Sequence, residues 1–293
     1  MASSGYNHAP QDDPYLMVNA GAGKKRAKGP SKAEDLELRV ATLERERREI
    51  HQELFEAAQV QRRLSGPRQL LRGRFEIASE IFPVRHLAGD FVSATDIGTR
   101  TWIALGDISG KGLAAAMWFT HLVSLIRCLA TAHQRPAAVM RELNEDLCGL
   151  QPAIPYTSIV LLVLDCESGQ MEYCNAGHPA PLALRRAGSV EKLEAGGPLL
   201  GVVSGAAYES ARVELCPGDL LLGCTDGVLE CRNAADEDFG HVRLVGEARE
   251  HAKESAQAVL FSVLGAVQDF AGEKPRHDDV SLLVIRPAEE FRA

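Results

Sequence analysis

The segment from Asp90 to Asp107 constrains the fold of this chain more strongly than any other stretch of its sequence. Two runs of β-forming residues, DFVSATDI and TWIALGD, flank a turn in which Gly98 can supply the positive φ of a type II′ corner. Because Asp90 and Asp107 are equally distant from that turn, they should face each other, with Cβ atoms about 5 Å apart. The sequence therefore predicts an antiparallel hairpin that carries two carboxylates at its open end.

Three further aspartates stand at comparable positions beside predicted strands. Asp226 follows the apolar run LLLGC closely, and Asp278 and Asp279 precede the run VSLLVI. Carboxylates held close together each favour a proton unless a cation lies between them, so strand ends that meet at one edge predict a metal site. Oxygen-only ligands favour magnesium or manganese over zinc. Taken singly, each aspartate has an alternative role, because Asp-Gly is a turn signal and Asp is common at strand ends.

The chain beyond Pro67 alternates many short β-type runs with a few apolar helices. The strands follow one another in hairpin-like succession, which predicts an α+β fold with antiparallel sheet covered by helices. The strands are expected at RFEIASE, DFVSATDI, TWIALGD, TSIVLLVLD, QMEYCNAG, ARVEL, DLLLGCTD and VSLLVIR. The helices are expected at GLAAAMWFTHLVSLIRCLATA, PAAVMRELNEDLCGL and ESAQAVLFSVLGAVQDFAG.

The N-terminal part of the chain has a different composition. Residues 1–33 lack hydrophobic periodicity and end in a basic cluster, which predicts a disordered tail. Residues 34–65 are strongly helical in composition and place an apolar residue at every seventh position, while the intervening a positions are only half apolar. This pattern predicts a short helical or coiled-coil linker, and the alternative is a helix that lies on its own domain. Residues 66–293 would then form the main domain.

Composition excludes several classes of function. A net charge of −8 and a pI near 5.6 argue against a nucleic-acid-binding surface, which would need clustered Lys and Arg. The seven cysteines are never spaced C-x-x-C, which favours reduced thiols over disulfides or a zinc site. No apolar run of about 18 residues and no secretion signal are evident, so we expect no membrane span and a cytoplasmic protein.

Other catalytic motifs do not assemble. GDISGKG, residues 106–112, has neither the spacing nor the metal-binding hydroxyl of a phosphate-binding P-loop. The sequence contains no H-E-x-x-H zinc motif and no G-x-S-x-G nucleophile turn. His178, in the polar turn NAGHP, is a candidate site residue, although a packing role is the more common one for such a histidine.

Several motifs together resemble a known family. The motifs are LAGDF (87–91), GDISGKGLAAAM (106–117), NAGHPAPL (175–182), GPLLGV (197–202), GDLLLGCTDGVLE (218–230) and HDDVSLLVI (277–285). Their order resembles that of the metal-dependent protein phosphatases, and it is most similar to the SpoIIE/RsbU-like bacterial branch of the protein phosphatase 2C family. The resemblance covers residues from about Gln59 to Arg286.

The resemblance implies an antiparallel β-sandwich flanked by helices, preceded here by an N-terminal helix, and an enzyme that hydrolyses phosphoserine or phosphothreonine in proteins. It implies that Asp107 bridges two Mn²⁺ or Mg²⁺ ions, that Asp90 and Asp107 are catalytic, and that Asp279 stands where the wider family often has Asn. The metal ligands implied in this way are Asp90, Asp107, the carbonyl of Ile108, Asp226, Asp278 and Asp279.

The resemblance also suggests partners. The branch suggests a phosphorylated anti-sigma-factor antagonist as substrate, in partner switching, and a homodimer formed through the N-terminal helix. Ala88, Ser93 and Ser281 depart from the residues usual in the branch, and the first two concern metal affinity rather than the fold. A pseudophosphatase that binds a phosphoprotein without turnover is the alternative function, and an inert coiled-coil scaffold is a third.

Overall fold

Six helices lie within residues 32–150 and 155–288, the part of the chain that the computed structural model describes. The three apolar helices expected from the sequence are among them, and the tail expected for residues 1–33 lies outside the described residues except for its last two, which begin the first helix. The helices are α1 (Lys32–Ser65), α2 (Leu113–Ala132), α3 (Pro136–Gly149), α4 (Asp226–Leu229), α5 (Gly240–Glu250) and α6 (Ala256–Ala271).

The described strands form two six-stranded sheets, which are antiparallel apart from one parallel pair. The strands are β1 (Gln69–Arg72), β2 (Phe75–Phe82), β3 (Asp90–Ile97), β4 (Arg100–Ile108), β5 (Thr157–Asp165), β6 (Met171–Ala176), β7 (Leu182–Leu184), β8 (Val190–Lys192), β9 (Gly196–Gly197), β10 (Ala211–Val213), β11 (Leu220–Cys224) and β12 (Val280–Pro287). One sheet has the order β1-β2-β12-β11-β7-β8, and the other has the order β10-β6-β5-β4-β3 with β9 beside β6.

The predicted hairpin is confirmed in both its turn and its register. Ile97 pairs with Arg100, Asp90 pairs with Asp107, and Gly98 has a φ of 62°. A side chain at this turn position would strain the backbone, which is why glycine suits the corner. Strand β5 pairs with the other edge of β4 and places Ser158 opposite Asp107. The second sheet therefore brings Asp90, Asp107 and Ser158 side by side at one end.

The core has three apolar layers, one between the two sheets and one between each sheet and its helices. Alternate residues of β4, such as Ile103 and Leu105, are buried against residues of the other sheet, such as Leu283. The opposite face of the second sheet packs against α2 and α3, and the outer face of the first sheet packs against α5 and α6. This arrangement confirms the predicted α+β sandwich flanked by helices.

Helix α2 is long and apolar enough to cross a membrane by length and composition alone. It is not an uninterrupted apolar run, because polar residues such as His121 and Arg127 lie within it. The same helix buries residues such as Phe119, Val123 and Ile126 against the second sheet. A core helix of this kind passes the same test of length and composition as a membrane span, so the burial accounts for its apolar residues.

Several short elements are absent from the sequence expectation. Strands β7 and β8 have three residues each, β1 has four and β9 has two. Such segments are too short to show an alternation of apolar and polar residues, because a period of two needs several repeats. Helix α5 was also missed, since only Leu244 and Ala248 are buried on it and its other residues are mixed.

Helix α1 continues to Ser65 without a break, and the chain divides within it into the compact units Met1–Glu49 and Ile50–Ala293. In the described part of the first unit, Leu36, Val40 and Leu43 are each more than half exposed. These residues belong to the predicted heptad seam, so the helix presents an apolar stripe to solvent.

Candidate active site

Asp90 is a buried carboxylate at the start of β3. Its side chain is 3% exposed, and its Oδ2 accepts hydrogen bonds from Thr225 Oγ1 at 2.6 Å and Ser281 Oγ at 2.7 Å. Burial raises the pKa of Asp90 well above its usual value, the two hydroxyl donors oppose this rise, and the charge of Asp107 adds to it. The structure thus holds Asp90 rigidly in a place where its negative charge is poorly solvated.

Asp107 lies opposite Asp90 and is the centre of the acidic cluster. Its pKa is raised to about 6, first by burial and then by the charges of Asp226, Asp278 and Asp279, whereas Lys111 opposes the shift. Carboxylates from four segments are therefore within electrostatic reach of one another. A cluster of this kind has too little positive charge of its own and favours binding a cation.

The sheet register explains why Asp226 and Asp278 meet there. Strand β11 ends at Cys224 and pairs with β12, so the residues that follow β11 lie beside those that precede β12. Asp226 begins the short helix α4, and Gly227 packs against the neighbouring backbone so closely that an added Cβ would lie 1.8 Å from the carbonyl oxygen of Asp279. Glycine at this position lets α4 approach the segment that carries Asp278.

Asp279 holds the loop that leads to Asp90. Its Oδ1 accepts from the backbone N–H of Val84 at 2.7 Å, and its Oδ2 accepts from that of Gly89 at 2.8 Å. From the other side, the Gln61 amide donates to the Ala88 carbonyl at 2.9 Å and accepts from the Ala88 N–H at 3.3 Å. The loop residues before Asp90 are thus clamped by two side chains distant in sequence.

Lys111 reaches from the GDISGKG loop to the segment before β12. Its Nζ lies 2.8 Å from Asp278 Oδ1 and donates to the His277 carbonyl at 2.7 Å. The ammonium group therefore provides a positive charge beside Asp278 and links two of the segments that carry acidic residues.

A pocket of oxygen atoms surrounds Gly89. A Cβ added to Gly89 would lie 2.9 Å from the Gly110 carbonyl oxygen, 3.0 Å from that of Ile108 and 3.3 Å from Asp107 Oδ1. The carbonyl of Ile108 and the carboxylate of Asp107 thus lie near the same point beside Gly89. These hard oxygen donors match the preference of magnesium or manganese.

Within the described residues, no three His, Cys, Asp or Glu side chains converge in the arrangement of a metal site. This geometric result stands against the electrostatic one, in which Asp226, Asp278 and Asp279 all act on Asp107. The difference arises because Asp278 is turned to Lys111 and Asp279 to backbone N–H groups by ordinary side-chain contacts. The residues fit a divalent cation if Asp278 leaves its ion pair with Lys111 and binds the cation instead.

His178 lies behind the acidic cluster rather than at its surface. Its Nδ1 is 2.8 Å from the hydroxyl of Ser158, the cross-strand partner of Asp107, and Asn175 fixes the turn by accepting from the His178 N–H. Burial lowers the pKa of His178 to about 3, so the imidazole is neutral. Its Nε2 has no hydrogen-bond partner of normal geometry among the described residues. The backbone carbonyl of Cys224 is near enough to oppose the lowering of the His178 pKa.

The sequence reasoning missed four residues that support this site. Thr225 and Ser281 donate to Asp90, Gln61 clamps the preceding loop, and Lys111 pairs with Asp278. The signals available were only that Thr225 adjoins Asp226, that Ser281 lies two positions after Asp279 and that Lys111 lies within a glycine-rich loop. Gln61 offered none, because it is an ordinary polar residue of a polar helix.

Comparison with known sequences finds one matching family. The family model described as Stage II sporulation protein E (SpoIIE) matches residues 97–288. The protein IcfG of Synechocystis is 26% identical over 243 residues, which cover 72% of this chain and 38% of IcfG. The phosphoserine phosphatase RsbU of Bacillus subtilis is 28% identical over 251 residues, which cover 84% of this chain and 73% of RsbU. The chain thus spans well under half of IcfG.

Comparison with solved structures finds the same fold. The SiaA-PP2C domain of Pseudomonas aeruginosa superposes with a TM-score of 0.70 at 23% identity, covering 82% of this chain and 97% of that domain. RsbX in complex with magnesium superposes with a TM-score of 0.52 at 15% identity, covering 74% of this chain and 97% of RsbX. At these identities the likeness concerns the fold.

Proposed function

This chain belongs to the SpoIIE family of PP2C-type serine/threonine protein phosphatases, and we propose that it removes phosphate from phosphoserine in a regulatory protein with the help of divalent metal. The observation that carries this proposal is the acidic cluster around Asp107, whose pKa is raised to about 6 by burial and by three neighbouring carboxylates. Clustered carboxylates of this kind are groups that bind cations, and RsbX, which has the same fold, was solved in complex with magnesium.

We assign roles to the residues of the cluster on this basis. Asp107 would bridge two Mn²⁺ or Mg²⁺ ions, and the carbonyl of Ile108, Asp90, Asp226 and Asp278 would complete their ligands. Such ions, when bound, lower the pKa of a coordinated water and neutralise the charge of the phosphoryl group.

The remaining contacts keep the ligands in place. Thr225 and Ser281 hold the Asp90 carboxylate in one orientation, which leaves its Oδ1 directed away from those donors. The hydrogen bonds of Asp279 to Val84 and Gly89 assign it to positioning the loop before Asp90, in preference to direct ligation. Catalysis by prepositioned charge depends on such supports, because the ligands need not reorganise during the reaction.

The test of the proposed function is release of phosphate from a phosphoserine protein, measured with Mn²⁺ or Mg²⁺ and with excess chelator. We expect hydrolysis that requires the metal. The alternative function, a pseudophosphatase, requires binding of the phosphoprotein with no release of phosphate under either condition, and that result would overturn the assignment as an enzyme.

The substrate is proposed from the relatives rather than from the geometry. RsbU is named a phosphoserine phosphatase, and we propose a phosphorylated anti-sigma-factor antagonist as the corresponding substrate here. Such a role belongs to the cytoplasm, where we place the protein.

Lys111 should weaken metal binding, because its ammonium group occupies the side of Asp278 that a divalent ion needs. We predict that Lys111→Gln binds Mn²⁺ about 3- to 10-fold more tightly than the unaltered protein in calorimetric titration. Lys111→Arg keeps the charge and serves as the control. In an Asp278→Asn background, the effect of Lys111→Gln should shrink to the part that acts through Asp107, and an equal effect in both backgrounds would contradict competition for Asp278.

We also propose that α1 forms a homodimer, because its seam exposes Leu36, Val40 and Leu43 to solvent. We predict that deleting residues 1–49 converts the dimer into a monomer, measured by light scattering against the mass of the shortened chain, and changes the rate of phosphate release. This deletion keeps Gln61, so its hydrogen bonds to Ala88 are retained, and Gln61→Ala in the full chain measures their effect separately. A shortened protein that is still a dimer would exclude residues 1–49 as the dimer interface.

A further inference from the structure

A cleft of about 240 Å³ opens directly beside the acidic cluster. Asp226 and Asp278 line one part of it, and Arg232, Lys274 and Arg276 line another. Its volume lies below the roughly 300–1,000 Å³ of ordinary small-molecule pockets, so it suits a single side chain of a larger partner. Under the proposed function, this partner is the segment of the substrate protein that flanks the phosphoserine.

Two of the three basic side chains are already neutralised. Lys274 Nζ lies 2.7 Å from Asp236 Oδ1 and also donates to the Asn233 carbonyl, and Arg232 Nε lies 3.0 Å from Asp238 Oδ1. These pairs tie the 232–238 loop together and to the segment that holds Lys274. Their charges are therefore compensated within the protein.

Arg276 differs, because the two side chains that it contacts are neutral. Its guanidinium donates to the Gln268 side-chain oxygen and lies 5.5 Å from the centre of the Phe82 ring. Among the described residues, no carboxylate lies within ion-pair distance of it. Together with Lys274, it lowers the pKa of Cys231 in the same cleft against the larger effect of burial. The cleft thus has a guanidinium without an ion-pair partner beside the proposed reaction centre, although the carboxylate of Glu230 also lines it.

The packing of Arg276 prepares it to bind a carboxylate. The guanidinium carbon lies over the Phe82 ring, which holds the side chain at this edge of the cleft, and a guanidinium offers planar, two-point hydrogen bonding to a carboxylate. Once Asp226 and Asp278 are neutralised by cations, the lining that is left contains Arg232, Lys274 and Arg276 against the carboxylate of Glu230. Since Arg232 and Lys274 already have carboxylate partners, Arg276 is the donor that an anionic side chain can pair with.

We propose that Arg276 determines substrate specificity by binding an acidic side chain next to the phosphoserine of the substrate. This inference rests on the proposed function, since it assigns the cleft to the substrate of that same site.

The experiment compares two phosphoserine peptides that differ only in having Glu or Gln on either side of the phosphoserine. We expect kcat/KM to be about 5- to 20-fold higher for the Glu peptide, as one charge-assisted hydrogen-bonded pair would provide. Arg276→Ala should bring this ratio close to one, and Arg276→Lys should restore part of it. The matched control is Arg243→Ala, whose guanidinium also lies over an aromatic ring, 4.6 Å from the centre of Phe270, but outside the cleft.

Three results would overturn the proposal. These are equal kcat/KM for both peptides with the unaltered protein, a ratio that survives in Arg276→Ala, and an equal loss for both peptides, which would mean that Arg276 binds the phosphoryl group itself. Fluorescence anisotropy of the same labelled peptides decides the question without turnover. Hydrolysis of neither peptide would refute the phosphatase assignment, while tighter binding of the Glu peptide that depends on Arg276 would still support this inference.

Discussion

Replacing Asp107 by Asn should reduce phosphate release from phosphoserine by on the order of a thousandfold or more, because the change removes the charge that both metal ions would share. The fold should survive it. Burial and neighbouring carboxylates raise the pKa of Asp107 to about 6, so its protonated form is favoured in the folded protein. The stability that this provides is present below about pH 4 and is lost as the pH rises through about 6.

An uncharged Asn therefore removes a cost that the folded protein bears at neutral pH. In excess chelator at pH 7.5, the melting temperature of Asp107→Asn should equal or exceed that of the unaltered protein. The control is Asp96→Asn at the other end of the same hairpin, where the carboxylate pairs with Arg72 at the surface. We expect this variant to keep its activity. Full activity in Asp107→Asn would refute the assignment of the site.

Replacing Gly227 by Ala should damage both the site and the fold. The new Cβ would lie 1.8 Å from the carbonyl oxygen of Asp279, whereas real Cβ atoms essentially never approach within 3.0 Å of another heavy atom. The Asp279 carbonyl is part of the backbone and cannot rotate away as a side chain could, so α4 and the 278–279 segment must move apart by more than about 1 Å. A displacement of this size at a reaction centre can cost about a hundredfold in rate. Overpacking should lower the free energy of unfolding by a further ~1–3 kcal/mol.

The matched control for this variant is Gly265→Ala in the middle of α6, where an added Cβ meets no heavy atom within 4 Å. Ala is the better helix former, so this variant should be about 0.5–1 kcal/mol more stable with unchanged activity. Denaturant unfolding and phosphate release measure both effects. Gly227→Ala with the stability and rate of the unaltered protein would show that α4 does not need its close approach to Asp279.

The sequence by itself determined the features that depend on local spacing. The register of the Asp90–Asp107 hairpin follows from the turn at Gly98 and the alternation of the two strands, since a slip by one residue would exchange the face that packs on the other sheet with the face that packs on the helices. The apolar helices follow from their periodicity in the same way. The aspartates at Asp226 and Asp278 were found because they adjoin strongly apolar runs whose ends could be located.

Only the tertiary structure decided how Asp90 and the loop before it are held. The hydrogen bonds to Asp90 come from Thr225 and Ser281, which are 135 and 191 positions away, and the loop before Asp90 is fixed by Asp279 and Gln61. A hydroxyl or amide side chain is equally acceptable at the surface, so its type does not reveal a distant partner. Such contacts form only when the two sheets pack and bring these strand ends together, because that packing removes water and makes each buried polar group require a specific partner.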